Sequence, residues 1–164
     1  MSDQEDLKIR LATVPDLDEI MKLAIAASGE NSFLKASPAR LAAEIWPALN
    51  LDHGLCGVIG KENGSIEGAV LLRIGTMWYS DSIVLEERAI FIDPVHRSAK
   101  GGRARKLCEF SKKVSDTLGI PLLIGVLSNA RTQGKIKMYE RQFGPQAGAF
   151  FLYGAATGTT PQTH

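Results

Sequence analysis

The sequence predicts an α/β fold in which a mixed central sheet of about six strands is flanked by about four helices. Three observations predict it. Strand-length apolar or alternating runs take turns along the chain with segments whose apolar residues recur at helical spacing. The stretch Leu85–Arg105, LEERAIFIDPVHRSAKGGRAR, reads as a strand, a basic glycine-containing loop and the first turn of a helix. Finally, 164 residues with 45% hydrophobic and 23% charged content suit one domain that buries a core without disulfides or metal.

Each element has its own signal. Residues 7–13 (LKIRLAT) alternate as a strand. Asp16 then starts a helix with Leu17, Ile20, Met21, Leu23 and Ala24 at helical spacing. Residues 38–49 predict a second helix, with Pro38 in the first turn where its missing N–H costs nothing. Trp46 falls among Leu41, Ile45 and Leu49 and is expected in the core. Residues 54–61 and 66–74 predict two strands joined by Glu62-Asn63-Gly64, a turn built on Asn-Gly. Ala89, Ile90, Phe91 and Ile92 are apolar without alternation, as in a strand covered on both faces, and Asp93-Pro94 ends it. A helix over about 103–118 follows. Then come a short apolar strand at 121–127 (PLLIGVL), a helix over about 131–142 and a last strand near 149–153. The predicted order is β-α-α-β-β-β-α-β-α-β.

Composition narrows the function. The formal net charge is +1, so no global field favours nucleic acid or an anionic membrane. No apolar run is long enough to span a bilayer, and the acidic start MSDQED is unlike a signal peptide, so a cytoplasmic location is expected. Cys56 and Cys108 form no metal-ligand pattern and are expected as reduced, buried thiols, with no metal site. His53 and His164 have no Ser or Cys partner at a recognised spacing, so a hydrolase triad is unsupported. The polar tail over 155–164 is expected to lie outside the domain at 1–154.

Charge is concentrated locally. His96, Arg97, Lys100, Arg103, Arg105 and Lys106 crowd around the loop and helix start. Free N–H groups at a helix start, a glycine pair and basic side chains make an anion site, and a phosphate or pyrophosphate is its natural occupant. Cations there oppose the helix dipole, which also points to a bound counter-anion. No aromatic residues interleave with them, so nucleic acid is a weaker reading.

This stretch resembles motif A of the GNAT superfamily of acetyltransferases: a strand ending in apolar residues, a short turn, then R/Q-x-x-G-x-G/A at the mouth of a helix. Ile90-Phe91-Ile92 matches the strand end, Arg97 opens the loop and Gly102 fills the last position. Lys100 stands where the family usually has its first glycine, with Gly101 next to it. The element order is also the GNAT order, over nearly the whole chain.

The resemblance implies acetyl-CoA as acyl donor and direct transfer to a primary amine on a small molecule or protein. It implies that the backbone of Ile90, Phe91 and Ile92 holds the pantetheine arm. The loop Arg97, Ser98, Ala99, Lys100, Gly101, Gly102 and Arg103 would wrap the pyrophosphate. Asn129 resembles a coenzyme-contacting asparagine. Glu86, six residues before Ile92, matches a position where several members carry a general base; the other reading is that Glu86 and Glu87 both sit at an exposed strand end, paired with Arg88 or another cation. Glu87 points to the opposite strand face by the two-residue period. Tyr139, in MYERQFG, resembles the tyrosine that protonates the leaving sulfur, and the alternative is an amphipathic core residue. Trp78 and Tyr79 are candidates for acceptor contact or a crossover anchor. The resemblance also admits a homodimer. A GNAT-fold protein that binds coenzyme A without turnover, or serves as an interaction scaffold, is the alternative function, and Lys100 keeps it open.

Overall fold

The computed structural model describes residues 6–31, 34–97, 102–126 and 132–154. Strand β1 (Leu7–Leu11) leads through a 3-10 turn at Val14–Asp16 into helix α1 (Leu17–Asn31). Helix α2 (Pro38–Leu49) precedes three antiparallel strands, β2 (Gly54–Lys61), β3 (Ile66–Thr76) and β4 (Ile83–Ile92). Helix α3 (Arg103–Leu118), strand β5 (Leu122–Ile124) and helix α4 (Thr132–Phe143) complete the set. The sheet is mixed, in the order β1-β2-β3-β4-β5, and only the β4–β5 pair is parallel.

Local chemistry places the ends. Ser37 caps α2 by accepting from the Arg40 N–H at 3.3 Å, and Pro38 sits where no intrahelical donor is needed. Asn63 takes a left-handed φ of 58° in the β2–β3 turn, and the Gly64 N–H closes it on the Lys61 carbonyl at 2.9 Å. Gly119, at φ 68°, ends α3 with its N–H on the Ser115 carbonyl.

The two sheet faces carry different cores. Helices α1 and α2 cover one, where Ile20, Ala24 and Ile45 meet Cys56, Ala69 and Phe91. Helix α3 covers the other, where Leu107 is buried against Ile59, Val70, Leu72 and Leu85. Gly57 of β2 admits α3: a Cβ there would lie 2.6 Å from the Phe110 ring. Cys56 and Cys108 are both buried free cysteines, as expected.

Two expectations are corrected. The sheet has five strands among the described residues rather than about six, because 149–153 forms no ladder. Phe150, Phe151 and Tyr153 all face solvent, so the segment lacks the covered side that fixes a strand's register. It meets the sheet end by a side chain, with the Phe150 ring beside Gly125 just after β5. Trp46 is half exposed, whereas Leu41, Ile45, Ala48 and Leu49 form the inward stripe of α2. Trp46 lies five residues after Leu41, about 140° around the helix from it.

Candidate functional site

The site begins with one irregularity in β4. Leu71 pairs with Ala89 and Leu72 pairs with Glu87, so Arg88 is an extra residue with no partner of its own. Such a bulge reverses which face successive side chains take. Leu85 and Glu87 therefore face α3 and α4, whereas Ala89 and Phe91 face α1 and α2. A regular strand would have put all four on one side.

The bulge also decides where the sheet opens. Strand β5 pairs with Leu85, Glu86 and Glu87 only, so beyond Glu87 the outer edge of β4 has no ladder among the described residues. The Asp93 N–H donates inward to the Glu67 carbonyl at 2.9 Å. By the two-residue period, Ile90 and Ile92 turn their N–H and C=O groups outward, into the opening. An extended polar chain placed there can pair with them as an added strand would.

The open edge leads to the N-terminus of α3. Gly102 has a left-handed φ of 64°, a conformation glycine adopts without strain, and it passes the chain into the first turn. Arg103 is only 4% exposed and its Nη2 donates to Glu67 Oε1 at 2.8 Å. His96 Nδ1 meets the same carboxylate oxygen at 3.0 Å. Withdrawing the guanidinium would leave the buried carboxylate with His96 alone, and breaking a buried pair costs about 3–5 kcal/mol. An exposed phosphate contact returns no more than about 1 kcal/mol. The side chain therefore stays on Glu67, and the main-chain N–H of Arg103 is one of the helix-start donors without an intrahelical partner. Arg97 lies at the start of the loop. Ser98, Ala99, Lys100, Gly101 and Asn129 lie outside the described residues.

Tyr139 reaches the apex of the opening from α4. The C-terminal end of α4 is fastened to α3: Lys112 Nζ donates to the Gln142 carbonyl at 3.0 Å and lies 5.7 Å from the centre of the Phe143 ring. The Tyr139 hydroxyl donates to Glu87 Oε1 at 2.7 Å. Glu87 is buried, and its Oε2 has no hydrogen-bond partner among the described residues. Burial pushes this carboxyl up to about 7, against smaller opposing pulls from the Tyr139 hydrogen bond and the Lys135 charge. Burial, followed by the charge of Glu87, also holds the phenol well above its ordinary range.

Glu86 lies on the other face. Its Oε1 accepts from Arg88 Nη1 at 3.0 Å, and Arg88 Nη2 donates to Glu44 Oε1 of α2 at 3.3 Å. Arg73 reaches the same Glu44 oxygen, also at 3.3 Å. Glu44 and Arg73 line a cleft of about 350 Å³ between α2 and the start of β2, together with Asp52 and His53. The structure thus brings Tyr139 to Glu87 and sets Glu86 in a charge-balanced surface network. Trp78 and Tyr79 pack edge-to-face in the β3–β4 connection, and both are exposed.

Two residues escape a reading of sequence alone. Glu67 is a lone carboxylate in an otherwise apolar run, and a buried charge of that kind demands a partner. The signal is present, but it does not name Arg103. For Glu87 the signal is weaker: it follows Leu85 at strand spacing, on the face that helices cover.

No family model matches the sequence, and no curated protein does. Solved structures do match. A possible acetyltransferase from Clostridium difficile 630 superposes with a TM-score of 0.68 at 16% identity, over 90% of this chain and 97% of that one. The enzyme AAC(6')-Iy, in complex with the bisubstrate analog CoA-S-monomethyl-acetylneamine, gives 0.68 at 17% identity over 90% and 96%. A ribosomal-protein-alanine N-acetyltransferase from Brucella melitensis biovar Abortus 2308 gives 0.64 at 17% identity over 90% and 96%. At these identities the likeness is one of architecture, and the chain has the fold of the GNAT superfamily of acetyltransferases.

Proposed function

We propose that this protein transfers an acetyl group from acetyl-CoA directly to a primary amine. The observation that carries the proposal is the coincidence at the end of the β4–β5 ladder. The sheet opens beyond Glu87, and the hydroxyl of Tyr139 stands at that point. The outward N–H and C=O groups of Ile90 and Ile92 are suited to hold a pantetheine arm along the opening. The helix-start donors at Gly102 and Arg103, with Arg97 and Lys100 in the loop, would take the pyrophosphate. Phe91 turns its side chain away into the α1–α2 core, so its part is to fix the strand. Tyr139 would then protonate the leaving thiolate. The amine loses its proton to Glu86 or to water, on the face that holds the Glu44 network. AAC(6')-Iy, whose complex carries a coenzyme A bisubstrate analog, has this architecture, which supports the choice of donor.

The test is a panel of amines, small molecules and peptide N-termini included, incubated with labelled acetyl-CoA, first with the parent chain and then with Tyr139→Phe. Turnover in the variant should fall about ten- to a thousandfold, the effect of losing one acid–base group, with acetyl-CoA binding little changed. Undiminished turnover in the variant would remove Tyr139 from the reaction. Binding of acetyl-CoA with no amine acetylated would favour a coenzyme-binding scaffold, and no binding at all would refute both.

A further inference from the structure

We propose that Glu87 stores a proton in the resting protein and passes it through Tyr139 to the sulfur that leaves the acetyl group. The inference rests on the acetyl-transfer reading above and goes beyond it by assigning Glu87 a task. It stands on geometry. Two acid groups, Glu87 and Tyr139, are buried against each other at the apex of the opening, 2.7 Å apart. Glu87 is 5% exposed and its second oxygen has no partner among the described residues. An ionised carboxylate in such a place would have one oxygen neither solvated nor bonded, whereas a protonated one carries no charge to desolvate.

The surroundings supply little to hold a negative charge. From α4, Tyr139 and Lys135 act on Glu87, and only Lys135 favours its ionised form by charge. From α3, Cys108 is a thiol pushed up to about 12 by burial, so it adds no charge near neutral pH. The residues in register with Glu87 on β3 and β5 are Leu72 and Ile124, which carry none. Glu86 and Arg88 are bonded to each other in the Glu44 network of the α2 face. Burial prevails, and the carboxyl titrates near 7.

Tyr139 alone is a poor acid in this position. Losing its proton would leave a phenolate buried beside a carboxylate, two like charges in contact. With Glu87 protonated, the same contact can run the other way. Glu87 Oε1–H then donates to the phenol oxygen, and the phenol O–H is released to face the opening.

The step balances. The amine nitrogen attacks the acyl carbon and the C–S bond breaks, its electron pair remaining on sulfur. Sulfur takes the Tyr139 proton, and the Tyr139 oxygen takes the proton of Glu87. The nitrogen sheds one proton, to water directly or through Glu86, and Glu87 regains one from solvent after the coenzyme departs. The transfer consumes no net proton. Glu87 touches no reacting atom, so it is a positioning residue that acts through Tyr139.

The test uses the full chain and Glu87→Gln, which keeps the shape and an acceptor for Tyr139 but has no proton to give. With an amine accepted by the parent, kcat should fall about ten- to a hundredfold, toward the lower end of acid–base effects. The KM for acetyl-CoA should stay within about twofold, since the variant spares the binding edge. The decline of kcat as pH rises through about 7 should vanish. Thermal unfolding of the variant, with and without acetyl-CoA, checks that it folds and binds.

A second measurement does not depend on turnover. The infrared difference between parent and Glu87→Gln should contain the carbonyl band of a protonated carboxyl at about pH 6, and that band should be gone by about pH 9. Absence of the band at the lower pH would overturn the inference, whatever the activity. A kcat and pH profile unchanged in Glu87→Gln would overturn the relay. A band that titrates as expected, in a chain that acetylates no amine, would support the stored proton and refute the acetyl-transfer reading.

Discussion

Glu87 also loads the stability of the protein over a definite range of pH. Its carboxyl titrates near 7 when folded, against an ordinary value of 4.5, and burial is the main cause. Below about 4.5 the folded and unfolded forms both hold the proton, and burial carries no ionic penalty. Between about 4.5 and 7 the unfolded chain ionises first. It then binds fewer protons than the native state, so stability falls as pH rises. Above about 7 both forms are ionised and the full cost stands, on the order of 3 kcal/mol. Urea midpoints measured from about pH 4.5 to 8 should therefore drop more steeply for the parent than for Glu87→Gln, which cannot ionise. Parallel profiles would show that Glu87 is not held protonated. The same residue marks how far the site is legible in sequence. Tyr139 announces itself by its place in MYERQFG, and the basic loop by its charge. The inward turn of Glu87 follows from strand periodicity, but its contact with Tyr139 depends on where α4 docks, which no local pattern encodes. Burial of Arg103 is hidden for a similar reason: a basic residue at a helix start reads as a surface cation until Glu67 is placed beneath it.

At the scale of elements, the seat of α3 on the sheet depends on a missing side chain. Gly57 lies under Phe110, and the Cβ of an alanine would come within 2.6 Å of the ring. Gly57→Ala should cost about 1–3 kcal/mol, the usual penalty for overpacking a filled core. Trimming the ring should relieve the clash, so Phe110→Leu should cost less in the Gly57→Ala background than in the parent. Urea denaturation of both single variants and the double variant gives that coupling directly. Strictly additive losses would mean that α3 does not rest on this contact. Elements whose ends are fixed by local chemistry are the legible ones. Helix α2 starts at its Ser37-Pro38 cap, α3 ends at Gly119, and β2 and β3 meet at the Asn-Gly turn. The expected strand near 149–153 is different, since AFFLY has the apolar content of a strand but a strand exists only against another edge. Nothing in the segment tells whether β5 will supply one, and β5, paired with β4 along one edge, has no second ladder among the described residues.

For the whole molecule, the decisive feature is one surplus residue. Arg88 reverses the facing of β4 halfway along its length, so one strand contributes Leu85 and Glu87 to the α3–α4 side and Ala89 and Phe91 to the α1–α2 side. The ladder to β5 stops at the same place. A bulge is invisible in a single strand because it is defined by the count of residues on its partner. The order of elements along the chain and the start of α3 are therefore more legible in the sequence than the point at which the sheet parts.

That surplus residue should leave a rhythm in the way β4 trades its amide hydrogens for deuterium. Leu85 and Asp93, bonded to the Pro121 and Glu67 carbonyls, should exchange slowly at all times. Ile90 and Ile92, turned to the opening, should exchange fast in the free protein and slow once acetyl-CoA lies along them, while Phe91 between them stays slow throughout. Residue-resolved exchange by NMR would read this as a beat of two that a ligand silences. Uniform protection along β4 before any coenzyme is added would mean that its outer edge is already occupied.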